Sequence, residues 1–200
     1  MAMSYRVSML FVVMAALSAG TSHAATLTYT LVNNPSVEAV DEAASFDLTV
    51  GSVTATLTAN IGVLNGTTTS FGVNAPGTGD ETAQIDGDLG LESVAITFDT
   101  NVTFLDFTVS LLSGDDAGSW TIDAGSPNGF TTSGVKAVNT AFTANTTTIT
   151  ISFVNPGTLG NGFSLDEFRV ETVAAVPTPA ALPAGLGLMG LMMIKRRKAA

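Results

Sequence analysis

Between residues 25 and 175 the chain has neither histidine nor cysteine, so chemistry there falls to carboxylates, hydroxyls and a single tryptophan. Histidine-dependent triads are excluded. So are disulfides, iron–sulfur clusters, thiol catalysis and cysteine zinc sites. No GxxxxGK phosphate loop occurs. Two acidic groupings remain. The first is Asp80, Glu81, Asp86, Asp88 and Glu92, with Gly77, Gly79, Gly87 and Gly90 around them. Calcium takes six to eight oxygens, and a glycine-rich acidic loop can turn several carboxylates inward. The spacing does not follow the EF-hand order, and the competing reading is a solvated acidic loop. The second grouping is Phe163-Ser164-Leu165-Asp166-Glu167-Phe168-Arg169-Val170. Phe163 and Leu165 share one parity, whereas Phe168 and Val170 have the other. This slip implies a β-bulge at Asp166–Glu167, which re-aims side chains. Asp166 is the carboxylate at that bulge. The competing reading is a central strand, buried on both faces, in which Arg169 neutralises a neighbour. Trp120 would serve as a sugar-stacking platform at a sheet end, or as a core residue shared with Ile122. A glycosidase would need two carboxylates about 5–5.5 Å apart, but the scarcity of aromatic platforms argues against a hydrolase.

The elements that must position these residues read as strands. Apolar and polar residues alternate through Val53–Thr58, Val94–Phe98, Leu105–Leu111, Trp120–Ile122 and Ile149–Phe153, with many threonines on the opposite parity. Turn formers lie between them: Asn65-Gly66, Pro76-Gly77, Asp86-Gly87, Ser113-Gly114, Pro127-Asn128-Gly129, Pro156-Gly157 and Asn161-Gly162. Residues 60–88 read as a polar excursion with one strand at Ser70–Asn74, and Phe142–Thr148 as a Thr/Asn turn. Eight to ten short strands without a helix predict an all-β fold, a single jelly-roll-like β-sandwich over residues 25–175. These 151 residues suffice for one core.

The ends have a different character. Arg6 precedes the apolar run Val7–Ala19, and Ser22 and Ala24 stand at −3 and −1 of a cut between Ala24 and Ala25. Residues 1–24 therefore read as a secretory signal peptide. The 13-residue run rises only about 20 Å as a helix, too short for the roughly 30 Å of a bilayer core. At the other end, Val176-Pro177-Thr178-Pro179-Ala180 leads into an apolar run to Ile194 and then Lys195-Arg196-Arg197-Lys198. Residues 180–194 read as a transmembrane helix whose basic tail, 195–198, stays cytoplasmic. Between these ends, two basic residues (Lys136 and Arg169) face 17 acidic ones, a net charge of −15. Such a surface repels nucleic acid and anionic headgroups and attracts cations.

The proline motif, span and basic cluster over residues 176–200 resemble the PEP-CTERM sorting signal of Gram-negative bacteria. Val176, Pro177, Pro179 and Ala180 match its VPLPA variant, and Thr178 departs from the usual leucine. The resemblance implies handling by signal peptidase and then by an exosortase, a membrane-embedded cysteine protease, with transient residence in the inner membrane. It also implies association with exopolysaccharide at the cell surface or in a biofilm matrix. Residues 163–170 further resemble the closing strand of jelly-roll carbohydrate-binding modules, where an aspartate often serves a structural calcium; the resemblance implies Asp166 as the best single carboxylate for a metal. The expected function is a non-enzymatic structural or adhesive surface protein. The alternative is a calcium-dependent carbohydrate-binding module, and calcium is the one cofactor raised, by that alternative alone.

Overall fold

Strand-forming segments alternate with short turns through most of the chain, and the computed structural model describes residues 24–39, 42–74, 83–87, 90–114, 116–154 and 162–174. Asp80, Glu81, Asp88, residues 1–23 and the sorting segment from Val176 through Lys198 lie outside the described residues. In chain order the elements are β1 (Thr26–Thr30), α1 (Pro35–Glu38), β2 (Ser45–Val50), β3 (Val53–Ala59), β4 (Val63–Gly66), β5 (Phe71–Asn74) and β6 (Ser93–Phe98). They continue as β7 (Val102–Ser110), β8 (Gly118–Ile122), β9 (Asn128–Phe130), β10 (Gly134–Phe142), β11 (Ile149–Phe153) and β12 (Ser164–Thr172). The protein is all-β. Among the described residues no helix is long and apolar enough to cross a membrane; the predicted span 180–194 is not among them.

Every strand pair is antiparallel. One sheet runs β1-β12-β7-β10, a second β2-β3-β6-β11-β8-β9, and β4-β5 form a separate hairpin. Period-two alternation turns Val53, Ala55 and Leu57, Val94, Ile96 and Phe98, and Ile149, Ile151 and Phe153 into a common core. The four-stranded sheet lays one ring from each strand across its inner face. Tyr29 stacks on Phe168 at 4.6 Å, Phe168 on Phe104 at 5.8 Å, and Phe104 on Phe142 at 5.4 Å. Phe98 of the six-stranded sheet meets all four rings edge-on, at 5.8–6.1 Å. Edge-to-face contacts of this kind contribute about 0.5–1.5 kcal/mol beyond their buried area, and here they join the two sheets.

Two bulges set the parity of the central strands. On β12 the register steps from Leu165 to Glu167 while β7 advances one residue, so the predicted slip at Asp166 is present. Phe163, Leu165, Phe168 and Val170 all reach the core because of it. The expected single face Leu105–Phe107–Val109–Leu111 on β7 needs correction. A second register shift passes over Leu105, so Val102 and Phe104 are buried on one parity and Phe107 and Val109 on the other. Leu111 lies just past the end of the strand, half-exposed and with φ 63°.

The excursion 60–88 holds two strands rather than one. β5 lies where expected, but Asn65-Gly66, read as a turn, belongs to β4. Val37 of α1 packs so closely over Gly66 that an added Cβ would come within 2.8 Å of it. A sequence signature for α1 is present in Asn34-Pro35: the Asn34 side chain caps the Ser36 amide and proline occupies the first turn. Pro127-Asn128-Gly129, also read as a turn, contributes to the short edge strand β9.

Candidate functional site

The sequence-predicted residues fall into separate places. Asp86 and Glu92 are almost wholly buried, which overturns the solvated-loop reading for these two. Their segment closes on itself: the Asp86 amide donates to Glu92 Oε2 at 2.9 Å, and the Glu92 amide donates to the Asp86 carbonyl at 3.1 Å. Gly162 makes room beside Asp86, since a Cβ there would lie 2.5 Å from the Asp86 Cβ. Its φ of +69° also favours glycine. Ile85 and Phe163 exchange backbone hydrogen bonds next to this contact, so the segment is pinned to the entry of β12.

Asp166 sits at the β12 bulge, where its Oδ1 accepts hydrogen bonds from Ser110 Oγ at 2.7 Å and Ser164 Oγ at 2.8 Å. Ser164 Oγ in turn accepts the Phe71 amide at 2.9 Å. The Asp166 carbonyl receives the amides of Leu31 and Val32. One bulged residue thus ties together the end of β1, the β4–β5 hairpin and β7. Among the described residues, no three carboxylates or other metal-ligating side chains converge.

The strand is central and Arg169 neutralises a neighbour, as the competing reading expects, but only one face is buried: the Arg169 side chain remains 43% exposed. It faces Asp106 across the β12–β7 pair and binds it through two donors, Nε at 2.8 Å and Nη2. Hydrogen bonding to Asp106 raises the guanidinium pKa first, Asp106's charge adds to this, and Glu167 contributes last. Asp106 is largely buried, and the forked pairing is what makes its charge tolerable there.

Trp120 pairs in register with Ile151, on the same face as Val94 and Ile96, and packs against the core from a partly buried position. It belongs to the inner face of β8 and not to a platform at the sheet end. Ala24 and Ala25 open the described fold. The Ala25 amide donates to Thr172 Oγ1 at 2.9 Å, and the Thr172 amide returns a bond to the Ala25 carbonyl.

Three surface features escaped sequence reasoning. A cleft of about 470 Å³ at the end carrying Ala25 and Thr172 is lined by Ser52, Val53, Thr100, Asn101, Ala144 and Thr172–Val173. A more apolar groove of about 370 Å³ follows β8–β9, between Gly118, Pro127, Phe130 and Val154. The third is the outer face of the six-stranded sheet, where cross-strand registers build a hydroxyl lattice. Ser45, Thr58, Ala95, Thr150 and Thr121 form one row, and Asp47, Thr56 and Thr97 the next. Several hydroxyls bond one another, as Thr49 with Thr54 and Ser45 with Thr58, both at 3.0 Å. Threonine alternation was visible in the sequence; which strands lie side by side was not.

No protein-family model, curated protein or solved structure matches this chain.

Proposed function

We propose that this chain is an exported surface or matrix protein, delivered with a cleaved signal peptide and processed at the C-terminal sorting motif Val176–Ala180. Its role is structural or adhesive, and exopolysaccharide is its intended surroundings. The observation that carries this reading is that Ala24–Val173 form one compact unit, tied end to end by the bonds between Ala25 and Thr172. In the sequence the signal cut after Ala24 and the sorting motif Val176–Ala180 flank that unit. The adjacency of β1 and β12 and the crossovers in both large sheets support a jelly-roll-like sandwich as the finer description. The hydroxyl lattice suits a hydrated, neutral polymer better than an anionic one, because it offers donors and acceptors without a cation.

Intact mass of protein recovered from the native cell surface and medium tests the routing. The expected mass begins at Ala25 and ends near Val176–Ala180. A mass that retains Lys195–Lys198 would replace this reading with a permanently anchored membrane protein.

The second reading, a calcium-dependent carbohydrate-binding module, draws on the two buried carboxyl groups of Asp86 and Glu92 in one short segment. It requires calcium to stabilise the protein beyond what sodium chloride does at equal ionic strength.

A further inference from the structure

We propose that β12 is a closing strand: the body up to residue 162 stays unfolded until residues 163–172 join it. β12 is an interior strand of the four-stranded sheet, and β1 pairs with β12 alone among the described strands. The first strand of the fold therefore waits for the last, across a sequence separation of 137–145 residues. The aromatic row shows what is missing before then. Phe168 stands between Tyr29 and Phe104, so without it the Tyr29 ring loses its stacking partner and the row is cut in two. Phe163, Leu165 and Val170 leave the core at the same time.

Three other segments are tied down by the same strand. The amides of Leu31 and Val32 bond the Asp166 carbonyl. The β4–β5 hairpin is held through Phe71 and Ser164. The segment at Ile85 pairs with Phe163. Long-range strand pairing has to meet its loop-closure entropy before it gains any contact energy, so the chain has little to fold around until its last strand arrives. On the export reading above, on which this clause rests, a chain crossing a membrane N-terminus first would stay unfolded until β12 is through. The sorting motif would then follow directly on a newly closed domain.

The test starts from the full chain with a site-specific protease sequence placed between Val154 and Gly162. The folded protein is nicked, unfolded, and its pieces separated. The N-terminal piece is then refolded alone, with a synthetic peptide of residues 162–174, or with the same peptide carrying Phe168→Ala. Trp120 emission reports the six-stranded sheet, and amide protection at Tyr29 and Leu31 reports β1. The expected result is an unfolded N-terminal piece that the native peptide restores in both readouts. The Phe168→Ala peptide should bind on the order of 100-fold more weakly, or worse. Native Trp120 emission and Tyr29 protection in the piece alone would overturn the proposal, and so would failure of the native peptide to restore them. No processing enzyme takes part, so this result and the mass measurement can fail independently.

Discussion

Tyr29 shows how much one buried side chain links. Its hydroxyl donates to the Val53 carbonyl of the opposite sheet at 2.8 Å while its ring stacks on Phe168. Burial pushes its pKa well above the usual tyrosine value, and the charge of Asp99 adds to the effect. The folded state thus keeps a proton that the unfolded state releases above about pH 10. This contribution to stability is complete below that pH and is lost as pH rises beyond it. In a chain beginning at Ala25, Tyr29 is the sole tyrosine, so phenolate absorbance reads it directly. Ionisation should appear only together with the loss of native Trp120 emission. Phenolate formation at pH 10 in still-folded protein would contradict the burial argument. Tyr29→Phe should lower neutral-pH stability by about 0.5–1.5 kcal/mol and flatten the alkaline decline. Asp166 has a different kind of effect, because two serine hydroxyls converge on one of its oxygens. Asp166→Ala should reduce unfolding free energy by about 1–3 kcal/mol in a denaturant titration. Asp166→Asn, which keeps an acceptor oxygen, should lose less.

Edges and bulges decide the behaviour of whole elements. Among the described strands β10 closes one side of the four-stranded sheet, and an edge strand of this kind would template pairing with another chain. Two features blunt it. Between Ala137 and Thr140 the register shifts, with Asn139 at φ 52°. Lys136 lies on the register position of Phe107, and its ammonium stands 5.5 Å over the Phe130 ring. The same ammonium bonds Thr132 Oγ1 and the Ser133 carbonyl. An inward-set charge on an edge strand discourages pairing because a docking strand would have to desolvate it. Lys136→Val should therefore bring concentration-dependent association in sedimentation velocity, with little loss of monomer stability. A variant that stays monomeric at every concentration would assign edge protection to the bulge alone. The bulge on β12 was legible because four apolar residues changed parity within eight positions. The one on β7 was not, because Leu105 is itself apolar and continues a false alternation through Leu111. β4 was hidden for a related reason: a four-residue strand containing Asn65-Gly66 carries no period, and only its pairing with β5 and the close approach of Val37 reveal it.

At the scale of the molecule, 17 acidic residues against two basic ones in residues 25–175 make self-repulsion a general destabilising force. Sodium chloride should raise the melting temperature of this segment by screening, with most of the effect reached once the Debye length falls to about 10 Å, near 0.1 M salt. Calcium at matched ionic strength should add nothing if screening is the whole effect. An additional rise that Asp86→Asn removes would move the balance toward the calcium-dependent module. The sequence by itself determined the all-β class, the facing of β3, β6 and β11, the parity slip at Asp166 and the sign of the surface charge. Each of these is local or additive: alternation is a property of neighbouring residues, and charge is a sum. Only the tertiary structure decided that Trp120 faces the core, that Asp86 and Glu92 are buried, that Arg169 answers Asp106, and that the first strand pairs with the last. Those facts rest on pairings between residues far apart in the chain. Strand order and register, which no short window of sequence encodes, are fixed by how the two sheets jointly bury one row of aromatic rings.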